Sequence, residues 1–138
     1  MACGDVYLHK NFRFSDGQYG RKYFVVIYEP DDNESFYLVL KTTSHIKSSN
    51  ISIGCNESIR GFYIPHGNSS VFPINTIIQI QEIFELDLSD FLKGANQRGD
   101  ISYIGCLEKL LLSQLINCIK RLKDDISEKH YKFIIKKK

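Results

Sequence analysis

Apolar and β-branched residues gather in three short runs early in the chain: Gly4-Asp5-Val6-Tyr7-Leu8, Tyr23-Phe24-Val25-Val26-Ile27-Tyr28, and Leu38-Val39-Leu40-Lys41-Thr42-Thr43-Ser44. A polar break, Ser15-Asp16-Gly17-Gln18, separates the first two. Runs of this length, rich in Val, Ile, Tyr and Phe and bounded by turn formers, predict three consecutive strands. Ile51-Ser52-Ile53 then alternates as a short strand does, and Gly61-Phe62-Tyr63-Ile64 leads into Pro65-His66-Gly67-Asn68-Ser69-Ser70. Gly, Pro and Asn packed together mark a turn or exposed loop. The strongest strand pattern covers 75–86, where Ile78 and Ile80 alternate with Gln79 and Gln81 before the apolar phase slips at Glu82-Ile83-Phe84-Glu85-Leu86. A slip inside a strand predicts a bulge or bend of the kind that curls a sheet toward a barrel.

Residues 87–94 read as a short helix or turn with Gly94 as its stop, 95–100 as a polar loop, and Ile101-Ser102-Tyr103-Ile104-Gly105 as a final strand. From Leu107 the period changes. Leu107, Leu111, Leu115, Ile119 and Leu122 recur every three or four residues, joined by Leu112, Ile116 and Cys118, which predicts an amphipathic helix ending near Lys123. Ile126-Ser127 opens a second short element. About six strands with two helical segments make a mostly β or α+β arrangement. The apolar stripe of the long helix needs the open end or face of that sheet to bury against.

At 138 residues the chain is expected to be one domain, 1–138, with a core of its own and a basic tail from about 123. Its charged and apolar fractions, 25% and 43%, are ordinary for a globular protein and select no special class. Net charge is only +2, but its distribution is uneven. Lys120, Arg121, Lys123, Lys129, Lys132, Lys136, Lys137 and Lys138 stand against Asp124, Asp125 and Glu128, which leaves the end of the chain at +5 and the rest at −3. A basic end can hold phosphates by counterion release, or be a solvated, frayed terminus. No run approaches a membrane span, and Met1-Ala2-Cys3-Gly4-Asp5 lacks a basic region followed by an apolar one, so the expected setting is cytoplasmic. The four cysteines, Cys3, Cys55, Cys106 and Cys118, are far apart and without a C-x-x-C pair. That spacing argues against zinc and favours buried thiols over a disulfide framework, with Cys118 on the apolar side of the long helix.

The order of these motifs resembles the MazF/PemK (Kid) family, small barrel-like toxins that cut single-stranded RNA and are silenced by an antitoxin. Gly4-Asp5-Val6 is similar to the family's opening strand, and Lys41-Thr42-Thr43-Ser44 to its strand ending in a hydroxyl pair. The stretch 77–87 is similar to its late apolar strand, and Ile104-Gly105-Cys106-Leu107 to the step into its terminal helix. The resemblance spans about 4–122 and implies an SH3-like barrel and a homodimer. It also implies a cognate antitoxin and metal-independent endoribonuclease activity with no cofactor. Carried over by position, it implies Thr42 (or Thr43) and Lys22 as catalytic residues. The chain departs from the pattern in two places. Tyr23 stands where the family has Pro after its basic residue, and Gln79 and Gln81 stand where some relatives bring an Arg and an acid.

Cleavage at a 2′-hydroxyl needs a base, an acid near the leaving 5′-oxygen, and positive charge for the phosphorane. With no carboxylate at the expected place, histidine is the natural substitute. His45 follows the Thr pair directly and His66 sits in the 65–70 loop, so both join Thr42 and Lys22 as catalytic candidates. Arg13, between Phe12 and Phe14, together with Arg21, Lys41, Thr43, Lys47 and Tyr63, forms the candidate RNA-binding set. Tyr19, Tyr23 and Phe62 are further rings on which bases could stack. The alternative class is an inert barrel that binds RNA or protein, to which Gln79 and Gln81 lend weight; a structural or regulatory protein without a nucleic-acid role fits the nearly neutral charge.

Overall fold

A computed structural model describes the chain except residues 1–2, 14–16, 47–49, 95–98 and 137–138 and the side chains of Phe12, Arg13 and Lys136. The three early runs form β1 (Asp5–Arg13), β2 (Tyr19–Tyr28) and β3 (Phe36–Thr43). They are followed by β4 (Gly54–Asn56), β5 (Gly61–Ile64), β6 (Thr76–Asp87) and β7 (Ile101–Cys106). All seven belong to one sheet in the order β4-β5-β6-β3-β2-β1-β7, every neighbouring pair antiparallel. The molecule is therefore mostly β with helices added, as its patterning predicts. Its strand order is that of a sheet with edges at β4 and β7.

The fourth strand differs from expectation. Ile51-Ser52-Ile53 lies outside the sheet, with Ile53 68% exposed, and β4 begins at Gly54 instead. The alternation there is that of an exposed segment held by Asn56, whose side chain accepts from the Ser52 amide at 2.9 Å and donates to the Ser52 carbonyl at 2.8 Å.

The slip in β6 is a real bend. Leu40 pairs with Ile83 but Thr42 pairs with Ile78, so 79–82 fall between them with no register partner on β3. Gln79 pairs with Gly61 on β5, and the Ile80 amide reaches the Arg60 carbonyl at 2.9 Å. Close passage of β5 and β6 requires glycine at 61, since a Cβ there would meet Ile77 Cγ2 at 2.7 Å.

Helix α1 (Leu88–Lys93) starts at Asp87, whose carboxylate accepts from the Ser89 amide at 2.8 Å and the Asp90 amide at 3.3 Å. The leucine stripe becomes α2 (Lys109–Arg121), which buries Leu115, Ile116, Cys118 and Ile119. They meet Val25, Ile27, Leu38, Leu40, Ile78 and Ile80 from one sheet face, each side chain contributing about 2 kcal/mol. The described part of the basic end is folded. It forms α3 (Glu128–Lys136), with Ile134 buried and the Phe133 ring 5.0 Å from Tyr28 and 5.5 Å from Phe36.

The cysteines also depart from expectation. Cys55 on β4 and Cys118 on α2 are disulfide-bonded, with Cα atoms 5.4 Å apart. Packing α2 against the edge strand brings together residues separated by 63 positions, which spacing alone gives no hint of. Cys3 and Cys106 are free thiols, and burial first, then Glu29 and Asp5, pushes Cys3 up to about 11. Among the described residues no helix is long and apolar enough to cross a membrane.

Candidate functional site

The β2–β3 ladder pairs Phe24 with Lys41 and Val25 with Leu40. Beyond it the two strands stay tied by side chains: Thr42 Oγ1 donates to the Tyr23 carbonyl at 3.2 Å, and Lys22 Nζ donates to the Thr42 carbonyl at 2.8 Å. Past the last β3 residue, the His45 amide donates to Thr43 Oγ1 at 3.1 Å, fixing the turn that carries the imidazole. These contacts shape one side of a cavity of about 270 Å³ lined by Arg21, Lys22, Tyr23 and residues 42–45. The other side is apolar. Phe72, Pro73 and Ile74 come from the loop between β5 and β6, with Thr76 at the start of β6.

The electrostatics are those of an anion site. Arg21 and Lys22 are its cations, and no carboxylate is among the lining residues. Burial, followed by the Lys41 charge, lowers the Lys22 ammonium from the usual lysine value. Thr42 is 4% exposed and its hydroxyl hydrogen goes to Tyr23, so it braces the hairpin and offers a ligand only its remaining acceptor capacity. His45 is exposed at the rim and is the one imidazole among the lining residues. Phe72 is buried and meets Tyr23 edge-on at 6.3 Å, whereas Ile74 is 55% exposed. A cavity of this size, cationic on one side and apolar on the other, suits a phosphate with a flat group attached.

The structure thus gathers Lys22, Thr42, Thr43, His45 and Arg21 in one place. The remaining candidates lie elsewhere. Lys41 points away from the cavity, with Nζ 3.5 Å from Glu82 and 5.4 Å from the centre of the Phe84 ring. His66 is exposed and does not line the cavity; its amide donates to Asn75 Oδ1 at 2.7 Å, which pinches the base of the loop. Tyr63 is on β5, opposite Gly54 and Ile77, and is also outside the lining. The Arg13 side chain and Lys47 lie outside what is described. Gln79 Oε1 is buried without a hydrogen-bond partner, while Gln81 borders a second cavity of about 220 Å³ beside His130. Among the described residues no His, Cys, Asp and Glu cluster could hold a metal ion.

Phe72-Pro73-Ile74 is the part of the site that the sequence reading did not select. Its signal is a pair of large apolar residues around a proline, inside a stretch otherwise made of turn formers. No protein-family model matches the chain, and no curated protein matches it in sequence.

Proposed function

We propose that this protein is an endoribonuclease of the MazF/PemK-like toxin type, acting without a metal on single-stranded RNA held in the β2–β3 cavity. The observation that carries this reading is the convergence of Arg21, Lys22, Thr43 and His45 opposite an apolar wall, in the region where the resemblance expects the scissile phosphate. The ribose 2′-oxygen would attack the adjacent phosphorus as the bond from phosphorus to the 5′-oxygen breaks. His45 takes the 2′-hydroxyl proton, and water protonates the departing 5′-oxygen. Arg21 and Lys22 balance the added negative charge on the phosphorane. The products are a 2′,3′-cyclic phosphate and a 5′-hydroxyl.

In the same reading the sheet closes toward an SH3-like barrel and the working form is a cytoplasmic homodimer covered at rest by an antitoxin. The bent β6 and the apolar Tyr103 and Ile104, exposed on edge strand β7, support it. The test is cleavage of mixed-sequence single-stranded RNA by purified protein with a chelator present. His45→Ala is expected to slow single-turnover cleavage by about 10²-fold or more. Lys22→Ala should weaken binding and flatten its dependence on salt by about 0.7 in the log–log slope. Absence of cleavage by the wild type rejects the enzyme.

A second reading, an inert module that binds single-stranded RNA, is favoured by one particular: the Thr42 hydroxyl is buried and committed to Tyr23. It predicts salt-dependent binding that Lys22→Ala weakens, with the RNA left intact.

A further inference from the structure

The apolar wall of the cavity belongs to the loop 65–75 between β5 and β6. Its base is closed by Asn75 on the His66 amide, and Ile74 is held to Thr76, whose hydroxyl donates to the Ile74 carbonyl at 2.9 Å. Its middle is held by Val71 and Phe72 in the core and, among the described residues, by hydrogen bonds to the Glu108 side chain. Glu108, the residue before α2, accepts from Ser69 Oγ at 2.9 Å, the Ser70 amide at 3.0 Å and Ser70 Oγ at 3.3 Å. Ser69 passes the constraint on, since its Oγ accepts from the Val71 amide at 3.2 Å, and Val71 and Phe72 then enter the main core.

We infer that Glu108 is a positioning residue for the cavity: by gripping Ser69 and Ser70 it sets where Phe72, Pro73 and Ile74 stand opposite Lys22, and so sets the width available to a nucleotide. Three hydrogen bonds converge on this one carboxylate, and charged acceptors give roughly twice the strength of neutral ones. The Ser70 amide above all, with Ser69 and Ser70 hydroxyls adding to it, lowers the Glu108 carboxyl from its usual value, so the grip is present at neutral pH. Glu108 itself does not line the cavity. Its effect passes through the loop.

The inference rests on the β2–β3 cavity being the RNA site, and its test separates the two claims. Amide exchange at Ser70 and Val71 is measured in wild type, Glu108→Ala and Glu108→Gln with no RNA present. In parallel, Ile74→Trp gives the chain its only tryptophan and reports the wall by emission. Expected is at least tenfold faster exchange and shifted emission for Glu108→Ala. Glu108→Gln, which keeps one acceptor oxygen, falls between. Affinity for a labelled oligouridylate should drop about tenfold in Glu108→Ala with the salt slope unchanged, because the cations are untouched. Unchanged exchange overturns the grip, and faster exchange with unaltered RNA affinity overturns its control of the cavity. If Glu108→Ala does not fold, Ser70→Ala, which removes one hydroxyl donor, replaces it with a smaller shift expected in the same direction. Wild-type protein that binds no oligouridylate rejects the RNA site, while exchange and emission still decide whether Glu108 positions the loop.

Discussion

The two faces of the sheet are closed in different ways. One carries Val25, Ile27, Leu38, Leu40, Ile78 and Ile80 under α2 and α3, where Leu115 and Ile119 are 0% exposed. The other carries Tyr7, Phe24 and Tyr37 with Val26 and Val39, and its helical cover is the six-residue α1, which adds Phe91. Tyr7 stacks on Phe24 at 5.8 Å and meets Phe91 edge-on at 5.3 Å, and Phe91 meets Tyr37 at 5.4 Å. Burial, with Asp5 and neighbouring tyrosines, pushes the Tyr7 hydroxyl up to about 12. Branched aliphatic chains interlock under long helices, whereas large rings close a face with few residues because each covers so much area. Both faces are sealed by contacts far apart in sequence, the first by long helices and the second by one short helix that inserts Phe91 among the rings.

Four changes would break or sharpen this contrast, the largest first. Leu115→Asp should yield no folded protein, because a carboxylate would enter a closed apolar contact, and the milder Leu115→Ala should cost about 3 kcal/mol in urea unfolding. Native-like melting of Leu115→Asp would show that α2 does not seal the sheet. Reduction of Cys55–Cys118 should come next. The bridge closes a loop of 63 residues, for which chain entropy gives about 4 kcal/mol, measured by unfolding with and without a thiol reductant. On the ring face, Asp87→Ala removes the cap of α1 and should cost only about 1 kcal/mol. A loss as large as that of Leu115→Ala would mean that α1 holds its face as firmly as α2 does.

The smallest effect is electrostatic. Glu85 lies 2.7 Å from His130 Nε2 and 3.2 Å from Lys129 Nζ, and the His130 hydrogen bond chiefly holds its carboxyl below the usual value. A depressed carboxyl stabilises the fold fully above its unfolded value of about 4.3, and the contribution is lost as pH falls through the lower folded value. Replacing Glu85 with Gln should therefore flatten the acid limb of the stability–pH curve and leave the melting of α2 unchanged. The pair is partly exposed, so screening keeps the effect small.

How much of this was legible follows the range of the interactions. β1, β2 and β3 were readable because each strand carries its own β-branched run, and the β2–β3 hairpin then brings Lys22, Thr42 and Thr43 together locally. The bend of β6 was readable as a phase slip. Ile51-Ser52-Ile53 misled because alternation marks a strand only when one side is buried, and Ile53 is not. The Cys55–Cys118 bridge, the Glu108 contacts and the wall at 72–74 depend on where α2 and the 65–75 loop dock, which no local pattern encodes. His66 was attractive as a loop histidine, but Asn75 draws its backbone to the base of the loop, away from the cavity lining.

Strand β1 lies between β2 and β7, with Val6 opposite Val25 on one side and Gly105 on the other. During synthesis those two sides are completed at very different times. β2 follows within a few residues, but β7 leaves the ribosome about 100 residues later, a delay of roughly 5–20 s at ordinary elongation rates. Throughout that interval the outer rim of β1 is a bare row of amides and carbonyls, available to the same strand on a neighbouring nascent chain. Polysomes carrying this message bring such strands close together, and fragments that stop short of Ile101 never cover the rim at all.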